Sequence, residues 1–158
     1  MTAKEFFRTV RRAESELKVL NAKLEHYEEL GISMGGIAGG TGNRNRSASR
    51  VEMAAVGAVD ALRDLYDQRR EYMAIIARAE HIISQVPQDK YRRILSYHYI
   101  LGKSLRWISD ELDYKDPNSI YRSHGWALYQ AQKILNQEEK HDDRAGERGI
   151  QGATEELP

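Results

Sequence analysis

Apolar residues recur at alternating intervals of three and four positions along two long segments of the chain. In the first segment they are Phe6, Val10, Ala13, Leu17, Leu20, Leu24 and Tyr27. In the second they are Val51, Ala55, Ala58, Leu62, Leu65, Tyr72, Ile76, Ala79 and Ile83, with Arg69 as the one interruption. This spacing places one apolar stripe on each of two helices. It predicts a long antiparallel, coiled-coil-like helical hairpin over residues 1–86.

The second helix carries more apolar surface than the first can cover. Val59, Tyr66 and Met73 form a stripe beside its main one. Two occupants fit this surplus equally well: a second copy of the chain, or the carboxy-terminal part of the same chain.

The segment between the two helices, residues 31–50, is rich in glycine and contains Arg44, Arg46 and Arg50 but no acidic residue. It lacks the Gly-Lys-Ser/Thr ending of a phosphate-binding P-loop. We therefore expect a flexible linker. A basic flap that reaches a phosphate backbone is the alternative.

Residues 87–137 have a different pattern, with three shorter predicted elements. Residues 88–101 predict a helix that Gly102 ends, and Ser104 then stands where the N-cap of a short helix belongs. A turn over residues 113–119 follows, in which Asp116 can cap a long helix that starts at Pro117. A short helix, a turn and a longer helix, preceded by a supporting helix, are typical of a helix-turn-helix domain.

The long helix has two faces of opposite character. With 100° per residue, one stripe is predicted to be buried: Ile120, His124, Ala127, Leu128, Ala131, Ile134 and Leu135. The opposite face is basic, polar and aromatic, and residues 117–137 contain no acidic side chain. On this face Arg122 can read guanine, Asn118 can read adenine, Gly125 permits close approach and Lys133 can hold a phosphate.

These features define a candidate DNA-binding set. Its members are Asn118, Ser119, Tyr121, Arg122, Gly125, Trp126, Tyr129 and Lys133 on the long helix, with Lys103 and Arg106 at the start of the short helix. For Trp126 the sequence leaves two environments open, a DNA contact or packing against the hairpin or a partner subunit.

The same stretch resembles a known family. The residues concerned are Tyr99, Ile100, Gly102, Lys103, Ser104, Ile108, Glu111, Leu112, Ile120, Tyr121, Arg122, His124, Gly125, Ala127 and Leu128. They resemble region 4 of sigma-70-type factors and, more closely, the phage and prophage late-transcription regulators of the ArpU/RinA type. The resemblance implies a DNA-binding regulator of late genes. Two positions depart from the family pattern, since Asp113 replaces a glycine and Trp126 replaces a basic residue.

Composition limits the classes of function that remain possible for this chain. The 158 residues carry 24 basic and 24 acidic side chains and no cysteine, which argues against a uniformly basic nucleic-acid coat and against a disulfide framework. The five histidines lack metal-site spacing and no nucleophile motif occurs. We therefore expect no enzyme activity, no cofactor and no metal. The absence of a long apolar run predicts no membrane span and a cytoplasmic protein in a bacterial or phage-infected cell.

The tail, residues 138–158, has seven acidic and three basic residues and is predicted to be disordered. The leading hypothesis is a phage-type transcription regulator that reads double-stranded promoter DNA, and the resemblance implies that it activates late genes. Its hairpin would dimerise or contact RNA polymerase. The alternatives are a helical adaptor that binds RNA polymerase or another protein without reading DNA, and a small-terminase-like packaging factor.

Overall fold

The computed structural model describes residues 1–29 and 47–151, and it gives side-chain environments for residues 1–29 and 56–141. All regular structure in these residues is helical, as the sequence predicted. The helices are α1 (Ala3–Glu29), α2 (Ser47–Ser84), α3 (Asp89–Leu95), α4 (Leu105–Glu111) and α5 (Ser119–Gln151). A π-helical turn, Ser96–Ile100, continues α3. In the part of the chain that the structure describes, no helix has the length and apolar character needed to cross a bilayer.

Packing divides the chain into two compact units. The terminal unit consists of Met1–Arg11 together with the chain from Ala77 onward, and the middle unit consists of the described residues between Arg12 and Ile76. This division differs from the boundary predicted after residue 86. The reason is that the first turns of α1 and the last turns of α2 bury their apolar side chains with the carboxy-terminal helices.

The core of the terminal unit contains side chains from the start of α1, the end of α2 and the carboxy-terminal helices. Phe7 is fully buried, and its ring stacks on that of Tyr99 with the centroids 5.0 Å apart. The guanidinium of Arg78 lies 5.4 Å from the centre of the Phe6 ring. The other large side chains with no exposed surface are Val10, Ile82, Val86, Ile94, Leu95, Ile108 and Ile120. Sequence periodicity missed Phe7, because it lies beside the predicted stripe of α1 and not within it.

In the middle unit, α1 and α2 lie against each other. Leu20, Leu24 and Leu62 are buried, as their positions in the two stripes predicted. Lys23, His26 and Tyr27 of α1 line a shared groove with Ala61, Asp64 and Leu65 of α2. Burial of the apolar stripes is the main source of stability for helices of this kind.

The ends of two elements differ from the sequence prediction. The linker was predicted to extend to Arg50, but α2 already begins at Ser47. Residues 31–46 of the predicted linker lie outside the described residues. Nothing in Ser47–Arg50 opposes a helix, since these four residues include no glycine or proline.

The predicted disorder from Glu138 onward is wrong for residues 138–151, which continue α5. Contacts with the rest of the terminal unit explain the difference. Glu138 lies 3.5 Å from Arg78 and 4.0 Å from the His81 ring, and Glu139 lies 3.8 Å from the amino terminus. These tertiary pairs, which composition alone does not reveal, hold the first turn of the predicted tail in the helix. The last seven residues lie outside the described part of the chain.

Candidate nucleic-acid interface

The entry to α4 is built as the sequence predicted. Gly102 has a φ of +67°, a left-handed conformation that a glycine adopts without steric cost. Ser104 then caps α4, since its Oγ accepts a hydrogen bond of 3.1 Å from the Trp107 N–H. Lys103 and Arg106 are exposed on either side of this cap. The cap therefore fixes the backbone from which both cationic side chains project.

The exit from α4 uses a residue that the sequence marked as unusual. Asp113 has a φ of +53°. The N–H groups of Tyr114 and Asp113 donate to the carbonyls of Ser109 and Asp110, at 2.9 and 3.3 Å. This is the hydrogen-bond pattern of a Schellman motif, in which the left-handed residue is usually glycine. Asp113 thus occupies the left-handed conformation that glycine usually adopts at the end of a helix.

Asp116 organises the start of α5. Its carboxylate accepts the Asn118 N–H at 3.0 Å and the Ser119 hydroxyl at 3.2 Å. The predicted capping role of Asp116 is confirmed, although α5 begins at Ser119 and not at Pro117. A carboxylate at this position also interacts favourably with the helix dipole.

The buried stripe of α5 agrees with the helical wheel. Ile120, Ala127, Ala131, Ile134 and Leu135 are buried, and His124 and Leu128 are half-buried. Both α3 and α4 contact α5. Ser123 is also buried, which the wheel did not predict. Since this stripe faces α3 and α4, the opposite face of α5 is turned to solvent.

All ten predicted DNA-binding residues are exposed. They are Lys103, Arg106, Asn118, Ser119, Tyr121, Arg122, Gly125, Trp126, Tyr129 and Lys133. Three of them are large aromatic residues with 62%, 51% and 51% of their surface exposed: Tyr121, Trp126 and Tyr129. Exposed aromatic side chains in a cluster are unusual on a surface that only faces water. Among the residues that the structure describes, Trp126 thus keeps about half of its surface open to solvent.

Aromatic rings on this surface contact one another and the ammonium groups of nearby lysines. The Trp126 and Tyr129 rings meet edge to face with centroids 5.6 Å apart, and Lys133 Nζ lies 4.5 Å from the centre of the Tyr129 ring. At the start of α4, Lys103 Nζ lies 4.9 Å from the Trp107 ring, which contacts Tyr97 at 5.4 Å. Trp107 was not in the predicted set. The sequence signal that could have identified Trp107 is that it follows Lys103, a member of the set, by four residues.

A cluster of half-buried rings supports the turn between α3 and α4. His98 Nδ1 lies 2.8 Å from the Lys103 carbonyl and accordingly donates to it, and the Tyr99 hydroxyl and His124 Nε2 are hydrogen-bonded at 3.0 Å. His98 and His124 are both half-buried, and His124 belongs to the predicted stripe of α5. Burial lowers the pKa of both rings, to about 4 for His124, where the neighbouring His98 and Lys4 add repulsion. Both rings are therefore neutral at pH 7.

The electrostatics of the exposed face follow from its composition. Residues 117–137 contain no acidic side chain, whereas α4 ends with Asp110 and Glu111. An Arg presents a rigid fork of donors, an Asn presents one donor and one acceptor, and a Lys presents a point charge. The face can therefore bind an anionic backbone and donate hydrogen bonds to base edges.

No protein-family model, curated protein or solved structure matches this chain.

Proposed function

We propose that this protein is a transcription regulator that reads double-stranded DNA through a sigma region 4-like helix-turn-helix, as phage late-gene regulators do. In this proposal α3 supports the motif, α4 is its first helix and α5 enters the major groove. The α1–α2 pair is a long helical hairpin beside it. The observation that carries the proposal is the exposed face of residues 118–133, which contain no acidic side chain and include Asn118, Arg122 and Lys133.

The geometry of the three helices supports the assignment of roles. The amino-terminal half of a recognition helix normally meets the bases. Asn118 directly precedes α5 and Arg122 lies in its first turn. A bidentate Arg–guanine or Asn–adenine pair discriminates against a wrong base by about 1–3 kcal/mol. Lys103, Arg106 and Lys133 are farther along the surface and would bind phosphates, which position the protein without reading sequence.

The aromatic residues fit the same surface. Trp126 and Tyr129 are apolar enough to lie against sugars or thymine methyl groups, and Gly125 leaves room for the backbone of DNA to approach α5. Because the whole chain has no net charge, its non-specific attraction to DNA is modest. Specific hydrogen bonds would then contribute a large share of the affinity.

A helical adaptor that binds another protein is the second candidate function. The half-exposed Trp126 and Tyr129 favour it, since aromatic residues are enriched at protein–protein interfaces. The two functions differ in their response to salt. Neutralising about three phosphates gives a slope of about −3 in a plot of log affinity against log salt, and an adaptor would not bind DNA even at low salt.

The test is fluorescence anisotropy with labelled duplexes of random sequence and of the genomic segments beside the coding region. We expect binding that weakens steeply with salt and a loss of about 5- to 100-fold on a preferred duplex for Arg122→Ala. Arg12→Ala removes the same charge from an exposed position on α1, outside the candidate DNA-binding set, and serves as the matched control. No binding by the wild type at low salt, or an equal loss in both variants, would contradict the proposal.

A further inference from the structure

One face of α2 in the middle unit is exposed and partly apolar. This outer face of α2 consists of Val56, Val59, Arg63, Tyr66, Arg70 and Met73. Val56 and Met73 keep 61% and 51% of their surface exposed, and Val59 and Tyr66 are half-buried. It lies about a third of a turn away from the buried Leu62 and Ile76. The α1 helix therefore leaves this face of α2 uncovered.

Charges of alternating sign run along the same face. In chain order they are Asp60, Arg63, Asp67 and Arg70; the two arginines belong to the face and the two aspartates border it. Within the chain they form two exposed pairs, Arg63–Asp60 at 3.9 Å and Arg70–Asp67 at 3.8 Å. These pairs are too exposed to contribute much to folding. Their order along the helix, however, determines which partner helix the face can accept.

We propose that this face binds the same face of a second copy of the chain, with the two α2 helices antiparallel and related by a two-fold axis near Leu65. In that register Asp60 lies opposite Arg70 of the second copy, and Arg63 lies opposite Asp67 of the second copy. All four charges of each chain then meet the opposite sign. In a parallel, in-register pair every charge would meet its own sign, which is unfavourable.

The apolar side chains match in the same register. Val56 and Val59 lie at one end of the face and Met73 at the other, about equally far from the axis. The two-fold operation therefore brings the valines of one copy against Met73 of the other, at both ends. Tyr66 lies beside the axis and meets its own counterpart. A self-complementary patch of this kind is what an isologous dimer requires. The proposal stands independently of DNA binding.

The direct test inverts all four charges in the full-length chain, with Asp60→Arg, Arg63→Asp, Asp67→Arg and Arg70→Asp. The inverted chain keeps its net charge and both intrahelical pairs. It is also complementary to itself in the antiparallel register, but wild type and inverted chain oppose like charges. Because their masses are identical, nitrogen-15 labelling of one chain distinguishes the species in native mass spectrometry.

We expect each chain to form a homodimer of twice the 18.1-kDa mass, and the mixed dimer to be depleted at least about tenfold below its statistical share. A mixed dimer at or above that share would overturn the antiparallel register. A wild type that stays monomeric at its highest soluble concentration would overturn the proposal as a whole.

A second variant tests the apolar part of the face. Met73→Glu should weaken the dimer about tenfold or more, because it places a charge against the valines of the second copy. Val19→Glu is the matched control, since Val19 is equally exposed, at 52%, but lies on α1. Both variants should keep the helical circular dichroism of the wild type. Equal dimer affinity in the two variants would contradict the assignment of this face.

Discussion

Asp113 holds a left-handed backbone conformation at the residue where α4 ends. For most residues this conformation costs roughly 1–2 kcal/mol, and for glycine almost nothing. The sequence identified Asp113 as a departure from a glycine pattern, but only the φ of +53° and the two hydrogen bonds around it show that the turn is preserved. The aspartate accordingly keeps the turn at some cost in stability.

Asp113→Gly should therefore stabilise the folded chain by about 0.5–1 kcal/mol, because the left-handed strain is removed at a modest cost in chain entropy. Asp113→Val should destabilise it by about 1–2 kcal/mol, since a β-branched residue fits this conformation poorly. Urea unfolding at pH 7 measures both. A loss of stability in the glycine variant would mean that the carboxylate has a structural role of its own.

His124 makes stability depend on pH. Burial lowers its pKa in the folded chain to about 4, whereas the unfolded ring has a pKa near 6.5. Above pH 6.5 both states are neutral and the full stability is present. As the pH falls from 6.5 towards 4, the unfolded chain binds a proton that the folded chain does not, so stability is lost.

His124→Gln should reduce this loss. Its amide oxygen can still accept the hydrogen bond from Tyr99, but the side chain does not titrate. Between pH 7 and pH 5 we expect the wild type to lose about 1 kcal/mol more than the variant, a value reduced by the water that still reaches the ring. Urea unfolding at the two pH values measures the difference. Equal losses would show that the ring does not stay neutral in the folded chain.

At the scale of elements, α5 shows what periodicity can predict and what it cannot. The wheel placed Ile120, Ala127 and Ala131 inside and Arg122 and Lys133 outside, because burial on one face repeats with the helical period. The length of α5 was underestimated, since it depends on long-range pairs such as Arg78–Glu138. A local pattern contains no information about such partners.

Gly125 offers a test of whether α5 contacts DNA. A Cβ added at Gly125 meets nothing within 4 Å, so Gly125→Ala should stabilise the helix by about 0.5–1 kcal/mol. If DNA approaches this point closely, the same variant should bind its preferred duplex about tenfold more weakly. Thermal unfolding and anisotropy measure the two effects.

Gly57→Ala is the matched control, because Gly57 lies within α2 and its added Cβ also meets nothing. It should raise stability by a similar amount without changing DNA affinity. Unchanged affinity in both variants would show that DNA does not approach Gly125.

At the scale of the whole molecule, the sequence predicted an all-helical chain and the positions of its main helices, but not how the units divide. The amino-terminal turns of α1 pack with the carboxy-terminal helices because Phe7 stacks on Tyr99. These residues are more than ninety positions apart, and no pattern around either one links them. The candidate surface was easier to predict, since α5 supplies seven of its ten residues and Asn118 directly precedes that helix.

The net charge differs between segments of the chain. Residues 87–137 carry a net charge of +3 and residues 138–158 a net charge of −4. Residues 1–30 are neutral, residues 31–50 carry +3 and residues 51–86 carry −2, so the neutrality of the chain is a cancellation between two basic and two acidic segments. A protein with this balance is expected to discriminate among sequences more than to coat DNA.

The central claim is that the exposed face of α5 reads base sequence, and sequencing of duplexes selected from a random pool tests it most directly. We expect the wild type to enrich one motif, Arg122→Ala to lose the preference at one base position, and Lys133→Ala to keep the motif with weaker, less salt-dependent binding. No enriched motif, or the same motif with undiminished preference from Arg122→Ala, would contradict the claim.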